Sequence, residues 1–221
     1  MENDSTPSEV VTDKRARILS GFKQFVLENG QLPASIFKFA KSLKIKEEEF
    51  YSYYNSFTAL QSAVWLDIFD NTLEDLHAQE IYVEYSAREK LLAFFFTWVE
   101  QLKKNRSYLL VLYDNGRTFS KLPAPEAREF KNKFKEFVTP ILQEGKTTGE
   151  VADRPFISQK YEESLWLQLW FIFQFWLRDS SVSFEKTDEA IEKSVHLAFD
   201  LMGKSALDTL ADFAKFLYQN K

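Results

Sequence analysis

Apolar residues recur at three- and four-residue spacing along almost the whole of this 221-residue chain, and only six Gly and six Pro interrupt them. That spacing gathers apolar side chains onto one face of a helix, whereas strands require strict alternation. The chain therefore reads as all-α, with about ten helices and short connections. Charged and aromatic residues make up 28% and 16% of it, a composition rich enough in core-forming side chains to exclude a disordered chain. The most apolar run, Leu165 to Leu177, is interrupted by Gln168 and Gln174 and is too short to span a bilayer. The opening MENDSTPSEVV is polar and acidic, unlike a signal peptide. A cytoplasmic protein without a membrane partner is the expectation. With no Cys, disulfides, thiolate metal sites and cysteine nucleophiles are excluded.

Punctuation along the chain divides it into a small head and a larger body. Residues 1–12 read as a disordered leader. A first helix starts near Asp13, carries Ile18, Phe22, Phe25 and Val26 on one face, and stops at Asn29-Gly30, a left-handed cap signal. Pro33 and Ser35 open a second helix with Ile36, Phe39, Ala40 and Leu43. A turn at Lys44-Ile45-Lys46 leads into a third with Phe50, Tyr51 and Tyr54. These three helices make a head over 13–56, and 57–221 form the helical body.

Ser56 caps a long helix through Trp65 to Leu76, and Ser86-Ala87-Arg88-Glu89 is a capping box ahead of another. A loop over Asn115–Pro125 precedes a helix to Glu144 that contains Pro140, and Gly145 and Gly149 bracket a turn. The remaining helices run from Ser158 to Arg178, from a Thr187 cap to Met202, and from Ser205 to Tyr218.

The head resembles the tetracycline-repressor (TetR) family of bacterial transcription regulators. Ile18-Leu19, Gly30, Ser35, Ala40, Tyr51, Tyr54, Ser56 and Leu60 fall, without a gap, where that family has its own Ile-Leu, Gly, Thr, Ala, Tyr, aromatic, Ser and Leu. In the body, Gly145 followed by Thr148-Gly149-Glu150-Val151 is similar to the turn before the family's penultimate pair of helices. The resemblance implies a helix-turn-helix DNA-binding head, a homodimer through the last long helices, and an effector pocket in the body. It also marks departures. Lys44 stands at a position usually Gly and Leu43 at one usually small. Glu48 and Glu49 stand where Gly and Thr are usual, and Phe57 replaces a phosphate-contacting Lys.

On that reading the DNA-binding residues are Ser35, Lys46, Glu49, Tyr51, Tyr53 and Lys14, with Arg15 and Arg17 as further backbone contacts and Lys38, Lys41 and Lys44 adding charge nearby. Ser35 caps the second helix and offers a hydroxyl to phosphate. A glutamate on a reading helix accepts from cytosine N4. The plainer account of Glu47–Glu49 is that acid favours a helix N-terminus and faces solvent. Residues 1–60 hold eight basic and eight acidic side chains, so this stretch lacks the net positive charge usual for nucleic-acid binders.

In the body, a helix that is apolar all round has to be buried all round. Trp166, Trp170 and Phe173 form one stripe and Phe171, Phe175 and Arg178 another, so one stripe serves the core and the other a twofold-related copy. His196 completes the expected dimer interface. Phe95, Trp98, Tyr108, Tyr113, Trp166 and Trp170 are candidates to line a pocket for a hydrophobic small molecule, against the plainer reading of core aromatics. Asp70, Glu74 and His77 share a helical face but read as solvated charge rather than a metal site. No phosphate-binding glycine loop or nucleophile turn occurs in the sequence, and neither a cofactor nor catalysis is expected. Two functions stay open: a ligand-responsive homodimeric DNA-binding regulator, or a TetR-fold protein with a degraded DNA surface that binds a hydrophobic ligand, a lipid or a partner protein.

Overall fold

The computed structural model describes residues 7–113, 124–154 and 160–203, with side chains from residue 14 onward. Among the described residues there are nine α-helices and no strand. They are α1 (Pro7–Asn29), α2 (Ile36–Ser42), α3 (Glu47–Tyr51), α4 (Phe57–His77), α5 (Ala87–Lys104), α6 (Arg106–Tyr113), α7 (Arg128–Thr148), α8 (Tyr161–Arg178) and α9 (Glu185–Met202). The expected helix over Ser205–Tyr218 and most of the Asn115–Pro125 loop lie outside the described residues. Helix α1 begins at Pro7, so residues 7–12 are helical rather than leader, and Asp13 is internal rather than a cap. Proline suits a first helical position because its fixed φ matches the helix and its missing N–H has no intrahelical partner there.

The chain divides into two compact units. The first comprises Met1–Asp70 and Leu102–Phe130, and the second Asn71–Gln101 and Lys131–Lys221. The first unit thus takes in α6 and most of α4 along with the three head helices.

In the first unit, Ile18, Phe22 and Val26 form the buried stripe of α1, spaced four residues apart. Gly30, at φ 62, donates its N–H to the Val26 carbonyl at 2.9 Å and ends the helix. Helices α2 and α3 have seven and five residues, too short to persist alone in water. Their hold is aromatic: Phe39 meets Phe22, Phe25, Phe50 and Phe57 at centroid distances of 5.8–6.1 Å. Leu43 lies against Gly21, where an added Cβ would come within 2.5 Å of its Cδ2. The larger residue at 43 is matched by the absence of a side chain at 21. Ser56 accepts from the Ala59 N–H at 3.1 Å and caps α4. Farther along, Trp65 stacks on Phe130 at 5.5 Å and 2° and donates through Nε1 to the Tyr113 hydroxyl at 2.9 Å.

The second unit explains the Gly145 to Val151 motif. Helix α7 does not stop at Glu144 but runs to Thr148, so Gly145 lies inside the helix instead of opening the turn. A Cβ there would meet Val151 Cγ2 at 2.7 Å and Ala87 Cβ at 3.1 Å, so glycine permits the close approach of three segments. Gly149 adopts φ 86 and turns the chain. Glu150 then reaches the start of α5, its carboxylate accepting from the N–H groups of Ala87 and Arg88, each at 3.2 Å. The capping box satisfies two further groups: Ser86 N–H donates to Glu89 at 2.8 Å and Glu89 N–H donates to Ser86 Oγ at 3.3 Å.

Helix α9 starts at Glu185, two residues before the expected Thr187 cap. Ser183 and Phe184 precede it in the left-handed region at φ 55 and φ 65, each costing about 1–2 kcal/mol for a residue with a side chain. Asp179 holds this connection in place. Its carboxylate accepts from Ser181 N–H (2.8 Å), Ser181 Oγ (2.6 Å), Thr187 N–H (2.9 Å) and Thr187 Oγ1 (2.6 Å). Thr187 is therefore a donor to the cap rather than the cap itself. Burial pushes the Asp179 carboxyl up, but the hydrogen bonds from Ser181 and Thr187 together outweigh it and hold the group at about 2.

An unfolded Asp titrates near 3.9, so the native state retains the ionised form. The stabilisation is complete above about pH 5 and is lost as pH falls through the interval from about 4 to 2. Asp179→Asn should cost about 2 kcal/mol near neutrality. The melting-temperature gap between wild type and variant, followed from pH 7 down to pH 2, should close in that acid interval.

Candidate functional site

Helices α2 and α3 present a shallow groove of about 630 Å³ lined by Phe37, Ala40, Lys41, Lys44, Ile45, Lys46, Glu47, Glu48 and Tyr51. Ser35 caps α2 in extended conformation, its Oγ accepting from the Lys38 N–H at 3.3 Å. The turn between the helices places Lys44 at φ 57, the left-handed region that explains why glycine is usual at this position. Bonds from Lys44 N–H to the Lys41 carbonyl and from Ile45 N–H to the Ala40 carbonyl, each 3.1 Å, hold the turn nonetheless. Phe37 is 60% exposed and Tyr51 52%, so the groove has an apolar floor open to solvent. The sequence reading did not single out Phe37. Its signal was an aromatic at a helix position off the Ile36–Phe39–Ala40–Leu43 stripe.

The structure sorts the charges that the sequence could only count. Lys14 pairs with Glu49 at 3.1 Å, and the hydrogen bond and charge of Glu49 raise the lysine's pKa. Arg15 lies over the Tyr54 ring at 5.4 Å, with its Nε 3.4 Å from the hydroxyl. Arg17 donates to the Leu43 carbonyl at 3.1 Å and caps the end of α2. Lys23 pairs with Asp67 at 3.7 Å, so all four α1 cations have partners within the first unit. Lys38, Lys41, Lys44 and Lys46 are exposed and make no ion pair among the described residues.

The glutamates differ likewise. Glu49 is taken by Lys14, Glu47 accepts from the Tyr51 hydroxyl at 3.4 Å, and Glu48 is exposed. Tyr53 is half-buried. Phe57 does not face outward as the phosphate-contacting Lys would. It stacks on Phe22 at 5.8 Å and 13° and meets Phe50 edge-on at 6.3 Å.

The six pocket candidates fall into both units. Phe95, Trp98, Trp166 and Trp170 belong to the second, where they are 0–4% exposed. Phe94 touches Phe95 at 5.7 Å and Trp98 at 6.4 Å, and Trp166 and Trp170 stack at 6.4 Å. Tyr108 and Tyr113 belong to the first unit. Tyr113 donates to Glu126 at 2.9 Å and accepts from Trp65, and its burial above all, together with the Glu126 charge, raises its pKa. Tyr108 packs on Phe22 at 6.2 Å, and its buried hydroxyl has no hydrogen-bond partner among the described residues. In α8, Gln174 is 4% exposed, and neither amide atom is hydrogen-bonded among the described residues.

Also on α8, Leu167 (59% exposed) and Phe171 (51%) stand in solvent beside Leu197 (58%) and Leu201 (67%) of α9. They line two adjoining depressions of about 480 and 530 Å³ that share Phe171, Ser194 and Leu197, with Phe175 in the first. Gln168 Nε2 bonds Ser194 Oγ across the helix pair at 3.1 Å. His196 is exposed but lines neither depression. It sits about 100° around the helix from Leu197. Arg178 is exposed at the end of α8 and lines neither. The apolar face therefore rests on Leu167, Phe171, Leu197 and Leu201, three of which the sequence reading did not name.

Residues 90–217 match the family model for the tetracyclin repressor-like C-terminal domain, more than half of the chain. The chain belongs to the TetR family. Solved structures agree in fold. A protein described as a TetR-family transcriptional regulator from Syntrophomonas wolfei superposes with a TM-score of 0.66 at 17% identity, covering 85% of this chain and 95% of its own. A TetR transcriptional regulator from Nitrosomonas europaea gives 0.57 at 16% identity, covering 83% and 96%. A TetR-family transcription regulator from Marinobacter aquaeolei gives 0.53 at 20% identity, covering 90% and 100%. No curated protein matches the chain. No helix among the described residues is long and apolar enough to cross a membrane.

The environment of Phe57 generates a direct expectation. Restoring the family's usual residue with Phe57→Lys should destabilise the protein by about 1–2 kcal/mol, because it removes a half-buried ring packed on Phe22, Phe39 and Phe50 while the lysine stem keeps part of the contact. Urea unfolding of the two proteins measures the difference.

Proposed function

We propose that this protein is a homodimeric DNA-binding transcriptional regulator whose DNA affinity responds to a hydrophobic small molecule. The observation that carries the reading is the α2–α3 groove, where three lysines with no ion pair among the described residues surround an apolar floor on the helix-turn-helix pair. Lys38, Lys41, Lys44 and Lys46 supply the phosphate contacts, with Ser35 and Tyr51 beside them. Each phosphate neutralised adds about 0.9 to the slope of log affinity against log salt. The effector reading rests on the aromatic interior of the second unit and on Gln174, a buried amide able both to donate to and to accept from a ligand's polar group.

A second reading is that the protein has kept the fold and binds a hydrophobic ligand without reading DNA. The internal use of Lys14, Arg15 and Arg17 favours it, since these cations are withheld from phosphate. Fluorescence anisotropy on duplex DNA from the protein's own locus, titrated with salt, separates the two. Sequence-dependent, salt-sensitive binding supports the regulator; equal affinity for random duplex at low salt sinks it. Glu49→Gln releases Lys14 and should tighten binding while steepening the salt slope by about 0.9. No change would remove Lys14 from the interface.

The exposed α8–α9 face is the dimer surface in this reading, because an apolar patch rimmed by Lys186, Glu189 and Lys193 suits an isologous contact with a second copy. Sedimentation should give twice the 26.0 kDa chain mass for wild type and the single mass for Leu197→Glu. A monomeric wild type at micromolar concentration overturns the assignment.

A further inference from the structure

We propose that Phe37 reads DNA sequence by placing its ring against the C5 methyl group of a thymine in the major groove. The inference rests on the regulator reading above and adds the base that one side chain selects. Phe37 occupies the second position of α2, while Phe39 and Ala40 on the same helix are buried to within 1%. Its ring is 60% exposed and contributes to neither the aromatic cluster nor any polar contact among the described residues. A single exposed phenyl group is ordinary on a protein surface. Phe37, however, shares one groove with Ile45 and the 52%-exposed Tyr51, and Lys41, Lys44 and Lys46 stand on that groove against two glutamates.

An apolar floor between cations matches a base edge bounded by phosphates. The chemistry of the bases then narrows the choice. In the major groove guanine and adenine present acceptors or donors and cytosine an amino group, all of which a phenyl ring would desolvate without repayment. Thymine alone presents a methyl group. Phe37 therefore favours thymine and penalises the other three bases at one position of each half-site. The lysines hold the register and carry no sequence information themselves. An acidic amphipathic peptide would meet the same floor and charges, and the experiment distinguishes it.

Duplexes are selected from a random library with the full-length wild-type protein. Each thymine of the selected site is then replaced singly by deoxyuridine, which removes the methyl group alone. Wild type should lose about fourfold in affinity at one symmetry-related pair of positions. Phe37→Ala should bind the thymine and uracil duplexes equally there, with thermal stability unchanged because the ring is exposed. The uracil scan needs no variant, so it stands even if the substitution perturbs folding. Wild-type indifference to uracil at every position overturns the proposal. So does a Phe37→Ala protein that binds and discriminates as wild type does, which leaves the groove to a peptide partner. If selection enriches no sequence at all, the regulator reading itself fails and this assignment falls with it.

Discussion

The stacking of Phe57 on Phe22, with Phe39 and Phe50 packed edge-on around the pair, is the contact on which the candidate DNA surface depends. Helices of seven and five residues have no independent stability. They persist because each surrenders one phenylalanine to a cluster anchored on α1 and α4. That anchoring fixes the groove on their outer side, and it also draws the Phe57 ring into the cluster. The packing of the half-buried Phe57 ring and the absence of the family's usual Lys at that position are one event. The Lys44 turn, strained by its left-handed backbone, survives for the same reason: the helices on either side are held elsewhere.

Charge pairing reshapes the electrostatic argument about the head. Counted over residues 1–60, basic and acidic side chains balance, and three consecutive glutamates stand at the start of α3. In the folded unit, Glu49 neutralises Lys14, and Arg15 and Arg17 serve Tyr54 and the Leu43 carbonyl. The lysines left exposed are those of α2 and the turn, on the side where the groove opens. Net charge describes the whole head, whereas a ligand meets only the groups that no neighbour has claimed.

In the second unit, connections are secured by side chains distant in sequence. Glu150 caps a helix that starts 63 residues earlier, and Asp179 orders the entry to α9 across two left-handed residues. The stretch from Gly145 to Val151 was legible as a turn motif, but its parts have different tasks. Gly145 allows close packing, Gly149 reverses the backbone, Glu150 supplies the cap, and Val151 covers Gly145. A carboxylate's partner 63 residues away leaves no local trace, so Glu150 carried no such signal beforehand.

The all-α class, the caps at Gly30, Ser35, Ser56 and Ser86, and the family of the head followed from the sequence alone, because helical periodicity and capping are local properties of neighbouring residues. The continuation of α7 through Gly145 and the placing of Tyr108 and Tyr113 in a different unit from Trp166 and Trp170 were decided by tertiary packing. So were the outward stance of Phe37 and the inward stance of Phe57. Both are phenylalanines at helix starts, and a hydrophobic side chain has no preference for one face over another until a second helix arrives to cover it.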